Sequence, residues 1–196
     1  MPLSPKRAEI ADAALRIIGS RGIAALTTAT LAAELGVSSG APFRHFASLD
    51  DILEAAAQRT EEILRSTSPD PGLPPLVRLE QLFLARAETV GQHAGVARLI
   101  FSEQFALALP PAAAARLVGL VADTRATILE LLRAAAAEGQ VRQDLSPADL
   151  LPVVMGSLQH LVFLSAMGPR IAKVPSPRKV FHTLASLLAP ARPRRS

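Results

Sequence analysis

The chain contains no cysteine, no tryptophan and no tyrosine, and only seven phenylalanines among its 196 residues. Without cysteine, neither a disulfide framework nor a thiolate metal site can form. The histidines are His45, His93, His160 and His182. None forms a His-x3-His pair or sits in a metal motif with nearby carboxylates, so no metal or other cofactor is expected. The nucleophile-elbow sequence is missing, as is the G-x-G phosphate fingerprint, so nothing nominates an enzyme. No alternating pattern marks a strand. No run of eighteen apolar residues is free of a charge or a breaker, so no membrane span is indicated. The N-terminal MPLSPKRAEIADAA lacks the apolar core of a secretory signal. A soluble cytoplasmic protein is the expectation.

What is present is alanine, leucine and helical periodicity. Hydrophobic residues make up 49% of the chain, enough for one or two domains with a real core. The net charge of +4 is uneven: residues 1–46 balance to +2, residues 47–167 to −5 and residues 168–196 to +7. The basic character therefore comes mostly from the tail, and overall charge does not argue for a nucleic-acid partner.

Periodicity predicts about nine helices. The first, 4–19, opens with Ser4-Pro5 and carries Ile10, Ala13, Ala14, Ile17 and Ile18 on one face. Lys6 and Arg7 on its first turn are either solvated or placed to meet phosphates. Helices 27–35 and 38–45 follow, then 48–66, with Ser48 as N-cap and Asp50 and Asp51 at the positive end of the dipole. The stretch STSPDPGLPP is the clearest linker. Beyond it come 74–91, 94–108, 111–138, 147–167 and 177–189. The run from Leu150 to Met167 has almost no charged side chain, so that helix must be buried on nearly all faces.

The segment TTATLAAELGVSSGAPFRHF, residues 27–46, carries the functional signal. Thr27 can cap a helix whose stripe is Leu31, Ala32 and Leu35. Gly36 can stop it, because glycine enters the left-handed region without steric cost. Val37 anchors the turn, and Ser38 can cap a second helix. Two short helices about such a turn form the helix-turn-helix pattern. With Arg21-Gly22 before it, Leu35 to Ser38 as its turn, Phe43-Arg44-His45-Phe46 at its end and Ser48 to Leu53 after it, the stretch resembles the TetR family of bacterial transcription regulators over roughly residues 8–58.

The resemblance implies an all-α chain. Residues 1–47 would form a three-helix DNA-binding domain. Residues 48–196 would form a regulatory domain for ligand binding and dimerisation, with a connecting helix (48–66), a linker (67–75) and a basic tail (192–196). The implied DNA-binding residues are Thr27, Thr28, Ser38, Ser39, Gly40, Ala41, Arg44 and His45. The small ones allow close approach, and Arg44 and His45 supply donors. Phe43 and Phe46 are expected to hold the motif on its neighbours. Four positions depart from the family's habit: Ser39 replaces a frequent Lys, Pro42 a frequent Leu, Phe43-Arg44 an aromatic pair, and Leu49 a frequent Lys.

A homodimer is implied, with the last two helices of each chain in a four-helix interface that includes Leu158, Leu161, Val162, Ser165, Leu184, Leu187 and Leu188. His93, Gln104, Gln159 and His160 are polar residues on apolar helices. They are either satisfied in place or, with Phe105, part of a cavity for an apolar or amphipathic effector. The function expected is a ligand-responsive repressor that leaves a palindromic double-stranded operator when a small molecule binds. The alternative is a helical ligand-binding or protein-interaction module with weak or vestigial DNA binding.

Overall fold

The computed structural model describes residues 2–101, 107–167 and 174–190. Among them are eight α-helices, two 3-10 turns and no strand. The predicted helix 94–108 runs partly outside the described residues, as do Gln104, Phe105 and the tail 192–196.

Two helices and two turns make the N-terminal head, and a third helix joins it to the body. Helix α1 (Pro5–Arg21) starts with Pro at its first turn, where the missing N–H has no intrahelical role. Its predicted face is fully buried: Ile10, Ala13, Ala14, Ile17 and Ile18 are each at most 1% exposed. A 3-10 turn (Ile23–Ala25) leads into α2 (Thr28–Leu35), and a second (Pro42–Arg44) leads into α3 (Leu49–Arg65). The second helix of the motif is therefore not an α-helix. Pro42 has no N–H to return to Ser38, so the stretch closes with i to i+3 bonds: Ala41 N–H to Ser38 O at 2.9 Å and His45 N–H to Pro42 O at 3.0 Å.

The body is α4 (Pro75–Gln92), α5 (Ala94–Phe101), α6 (Pro111–Ala137), α7 (Pro147–Met167) and α8 (Pro177–Leu188). Irregular chain over 66–74 joins it to α3. Helix α4 is central, touching α3, α5, α6, α7 and α8. Its Phe83 meets Phe181 of α8 with ring centroids 5.3 Å apart and planes tilted by 54°. Burying a side chain such as Phe83, Leu79 or Leu82, each 2% exposed or less, stabilises by about 1.5–3 kcal/mol.

Helix α7 is two-sided. Leu150, Leu151, Val154, Leu158, Leu161 and Val162 face inward, whereas Pro152, Val153, Gly156, His160 and Phe163 face outward. Pro147–Ala166 is long and apolar enough to cross a membrane by length and composition, contrary to the expectation from its breakers. Its inner row is nevertheless taken up by α4, α5 and α6 of the same chain.

Head and body meet along two seams. Helix α3 lies against α1 on one side and α4 and α6 on the other. Arg59 Nε bonds Asp12 Oδ1 of α1 at 2.8 Å, and Arg116 of α6 pairs with Glu61. The second seam is α1 on α5. A Cβ on Gly19 would lie 2.6 Å from Gly95 N, and one on Gly95 would overlap the Leu15 carbonyl. The two backbones approach so closely only because both residues lack a side chain.

Candidate nucleic-acid interface

The motif is assembled from its two turns outward. Thr27 caps α2 reciprocally with Thr30: the Thr30 N–H donates to Thr27 Oγ1 at 3.2 Å, and the Thr27 N–H donates to Thr30 Oγ1 at 2.9 Å. The Thr30 hydroxyl also donates to Ala25 O at 2.6 Å, tying α2 to the preceding turn. Gly36 ends the helix at φ 66° and ψ 33°. The Gly36 N–H reaches Ala33 O at 3.2 Å and the Val37 N–H reaches Ala32 O at 3.0 Å, which satisfies the last carbonyls.

From there the chain is held from beneath. Pro42 and Phe46 are buried, and Phe43 is half-buried against the core. Arg7 closes the far end: its guanidinium lies 4.2 Å from the Phe46 ring centroid and donates to His45 O at 3.0 Å. Lys6 pairs with Glu9 at 2.8 Å. Ser48 caps α3 by accepting the Asp51 N–H at 3.1 Å, while Asp51 accepts the Ala47 N–H at 3.0 Å. The predicted Ser38 side-chain cap does not form. Ser38 contributes its carbonyl instead, and Ala41 precedes the 3-10 turn.

The result is an exposed ridge. Ser38, Ser39, Gly40, Arg44 and His45 face outward, with Ala41 half-buried behind them. The Arg44 N–H donates to Ala41 O at 3.3 Å, but its guanidinium has no hydrogen bond or ion pair among the described residues. Thr27 is exposed and Thr28 half-buried at the start of α2, but the Thr27 hydroxyl is committed to its cap. Leu49 is half-buried and packs on the core, so its side chain is turned away from this ridge.

The remaining predicted positions scatter. Leu158, Leu161, Val162, Leu184 and Leu188 are 6% exposed or less inside their own chain. They hold the bundle together and are not available to a partner. Leu187 is 61% exposed, and Ser165 is half-buried, its hydroxyl donating to Leu161 O at 2.9 Å. The apolar outward positions of this region are instead Val153 (48%) and Phe163 (51%). Of the described cavity candidates, Gln159 alone lines the bundle cavity. His160 points outward. His93 lies by the head–body cleft, its Nδ1 2.7 Å from Thr89 O.

That cavity, about 50 Å³, is bounded by Leu64 of α3, Arg86 and Val90 of α4, Ile100 and Phe101 of α5, Leu120 and Thr124 of α6, and Leu158, Gln159 and Val162 of α7. Arg86 is the residue the sequence reading missed. It continues the buried stripe Leu79, Phe83, Val90 at steps of four and three, which is the signal that places it inward. Burial pulls its guanidinium down to about 10, leaving it charged at neutral pH.

Comparison with known proteins agrees with this geometry. Residues 10–56 match the model of the bacterial regulatory proteins of the tetR family. The HTH-type transcriptional repressor KstR2 of Mycobacterium tuberculosis (strain CDC 1551 / Oshkosh) is 28% identical over 99 residues, 46% of this chain and 47% of that protein. The chain thus spans about half the length of the curated relatives it matches. A solved regulatory protein in the tetR family from Rhodococcus RHA1 has a TM-score of 0.75 at 18% identity, covering 97% of this chain and 100% of that one. AibR in complex with isovaleryl coenzyme A and operator DNA has a TM-score of 0.73 at 14% identity, covering 93% of this chain and 97% of that one. At such identities the solved structures establish the fold.

Proposed function

We propose that this chain, whose residues 10–56 match the tetR family of bacterial regulatory proteins, is a member of that family and a ligand-responsive repressor that binds a palindromic operator as a homodimer. The observation that carries the reading is the ridge Ser38–His45. Its small outer residues, its unpaired Arg44 and its buried Pro42 and Phe46 make a stiff, donor-bearing projection suited to a major groove. In this reading Ser38, Ser39, Gly40 and Ala41 let the backbone approach the DNA. Arg44 and His45 contact phosphate or base edges, and Thr27 and Thr28 contact the flanking backbone. Residues 1–47 act as the DNA-binding unit and residues 48–196 as the regulatory unit.

Two such ridges must lie about 34–36 Å apart to enter successive grooves, which requires a second copy. The apolar outward row of α7, Val153 and Phe163 with Leu187 of α8, is where that copy would sit. This row replaces the inward leucines as the dimer surface. AibR, which shares this fold and was solved with isovaleryl coenzyme A and operator DNA, supports the idea that this chain too answers to a small molecule. In this reading the effector sits in the bundle and changes the spacing of the heads.

The test is selection of bound sequences from random DNA with the full chain. A palindromic consensus is expected. Arg44→Ala should then weaken binding by about 1–3 kcal/mol, roughly five- to 150-fold, in a gel-shift titration at fixed salt. No enrichment of any sequence would sink the reading in favour of a bundle whose head has lost DNA binding. The 3-10 geometry and Leu49 are the features that favour that second reading.

A further inference from the structure

Arg86 stands where two cavities meet. The inner one is the apolar bundle cavity of about 50 Å³. The outer one, about 170 Å³, is a polar mouth bounded by Arg65, Ser68, Asp123, Thr124 and Thr127. Leu64, Arg86, Leu120 and Thr124 belong to the walls of both. The Arg86 Nε is buried without a hydrogen-bond partner among the described residues, and no carboxylate offsets its charge there. The Thr124 hydroxyl is already engaged, donating to Leu120 O at 2.9 Å. The Gln159 side-chain amide, in the inner wall, makes no hydrogen bond among the described residues. A cation held in an apolar wall without a partner lowers stability, and an anion seated on it removes that penalty.

We infer that this cavity takes a small free carboxylic acid, its short apolar chain among Val90, Leu120 and Val162 and its carboxylate on the Arg86 guanidinium, with Gln159 as a second donor. The inference deepens the effector reading above and rests on it. Two features select this class. The inner space is about a third of a cavity of roughly 150 Å³ that admits benzene, which limits the chain to a few carbons. Asp123 in the mouth opposes a second negative group, and Arg65 is already paired with Glu61 at 2.8 Å. A neutral ester or amide of the same acid would leave the Arg86 charge unanswered.

The experiment is calorimetric titration of the full chain with butyrate, isobutyrate, isovalerate and hexanoate, and with their amides. Arg86→Met and Arg86→Lys are run alongside, and thermal unfolding is followed by circular dichroism because the chain has no Trp or Tyr. At least one acid should bind, with its amide at least about tenfold weaker. Arg86→Met should lose that acid about tenfold or more, and Arg86→Lys should keep part of the binding. Without ligand, Arg86→Met should melt at or above wild type, since it removes an unpaired buried charge. Acid binding that is unchanged in Arg86→Met, or absent for all four acids, overturns the inference. A gel shift on the selected operator separates it from the wider reading. Arg86-dependent acid binding with unaltered operator affinity keeps the carboxylate site and sinks the effector role. Release of DNA by an amide, equal in wild type and Arg86→Met, does the reverse.

Discussion

Arg7 and Arg44 carry the same charge and are put to opposite uses. Arg7 holds the Phe46 ring and the His45 carbonyl with its guanidinium, a structural role that neither of its sequence readings included. Arg44, two residues from Phe46, has nothing to hold and faces outward. Glu61 shows how a single side chain ties head to body. Its carboxyl is held below the ordinary carboxylate value first by the hydrogen bond from Arg116 and then by that from Arg65. A depressed folded pKa adds stability that is fully present above the unfolded value and is lost as pH falls through the folded one. Glu61→Gln should therefore melt below wild type near neutral pH. The gap should close as pH drops from 4.5 to below the folded value, as checked by paired melts across that range. A gap that persists in acid would mean that packing, not charge, is what the substitution removes.

Among helices, the joint between α1 and α5 is the least forgiving. Gly95→Ala would drive its new methyl into the Leu15 carbonyl, a backbone atom that cannot turn aside. The α1–α5 seam should open at a cost of about 1–3 kcal/mol, a fall in Tm of several degrees for a chain of this size. Circular dichroism would check it. Gly119→Ala, with open space around its Cβ position, is the control and should not lower Tm. Most helix starts were legible in the sequence because their signals are local chemistry: Pro5, Thr27, Ser48 and Pro147 each begin or cap the element predicted. Gly36 likewise ends its helix in the left-handed region. The stretch 38–45 was legible only in part. Pro42 stood out there as a departure, but whether 38–45 stays α-helical depends on how tightly Phe43 and Phe46 seat beneath it, which is a tertiary matter.

For the chain as a whole, sidedness was the information missing from the sequence. Helix α7 is apolar all round, so periodicity could not separate Leu158 and Leu161, which are buried, from Val153 and Phe163, which face away. Arg86 was obscured for a related reason: it sits on the apolar stripe of a helix that also carries Arg78, and only the fold shows a cavity before it. The outward row leads to an expected outcome. Phe163→Glu should turn a dimer into a monomer in sedimentation velocity and weaken operator binding steeply, leaving the helical signal intact, because Phe163 takes no part in its own core. A variant that still sediments as a dimer would move the subunit contact elsewhere.

Helix α5 is a strut about 12 Å long, with Ile100 and Phe101 in the cavity wall and Gly95 bearing on Leu15 of α1. A strut transmits displacement in proportion to how little slack its seats allow, and at Gly95 there is none. If an effector fills the cavity, a displacement at Phe101 would be passed to α1 at Gly95, and α1 holds the end of the ridge through Arg7. The head would then have an input through α5 beside the one through α3.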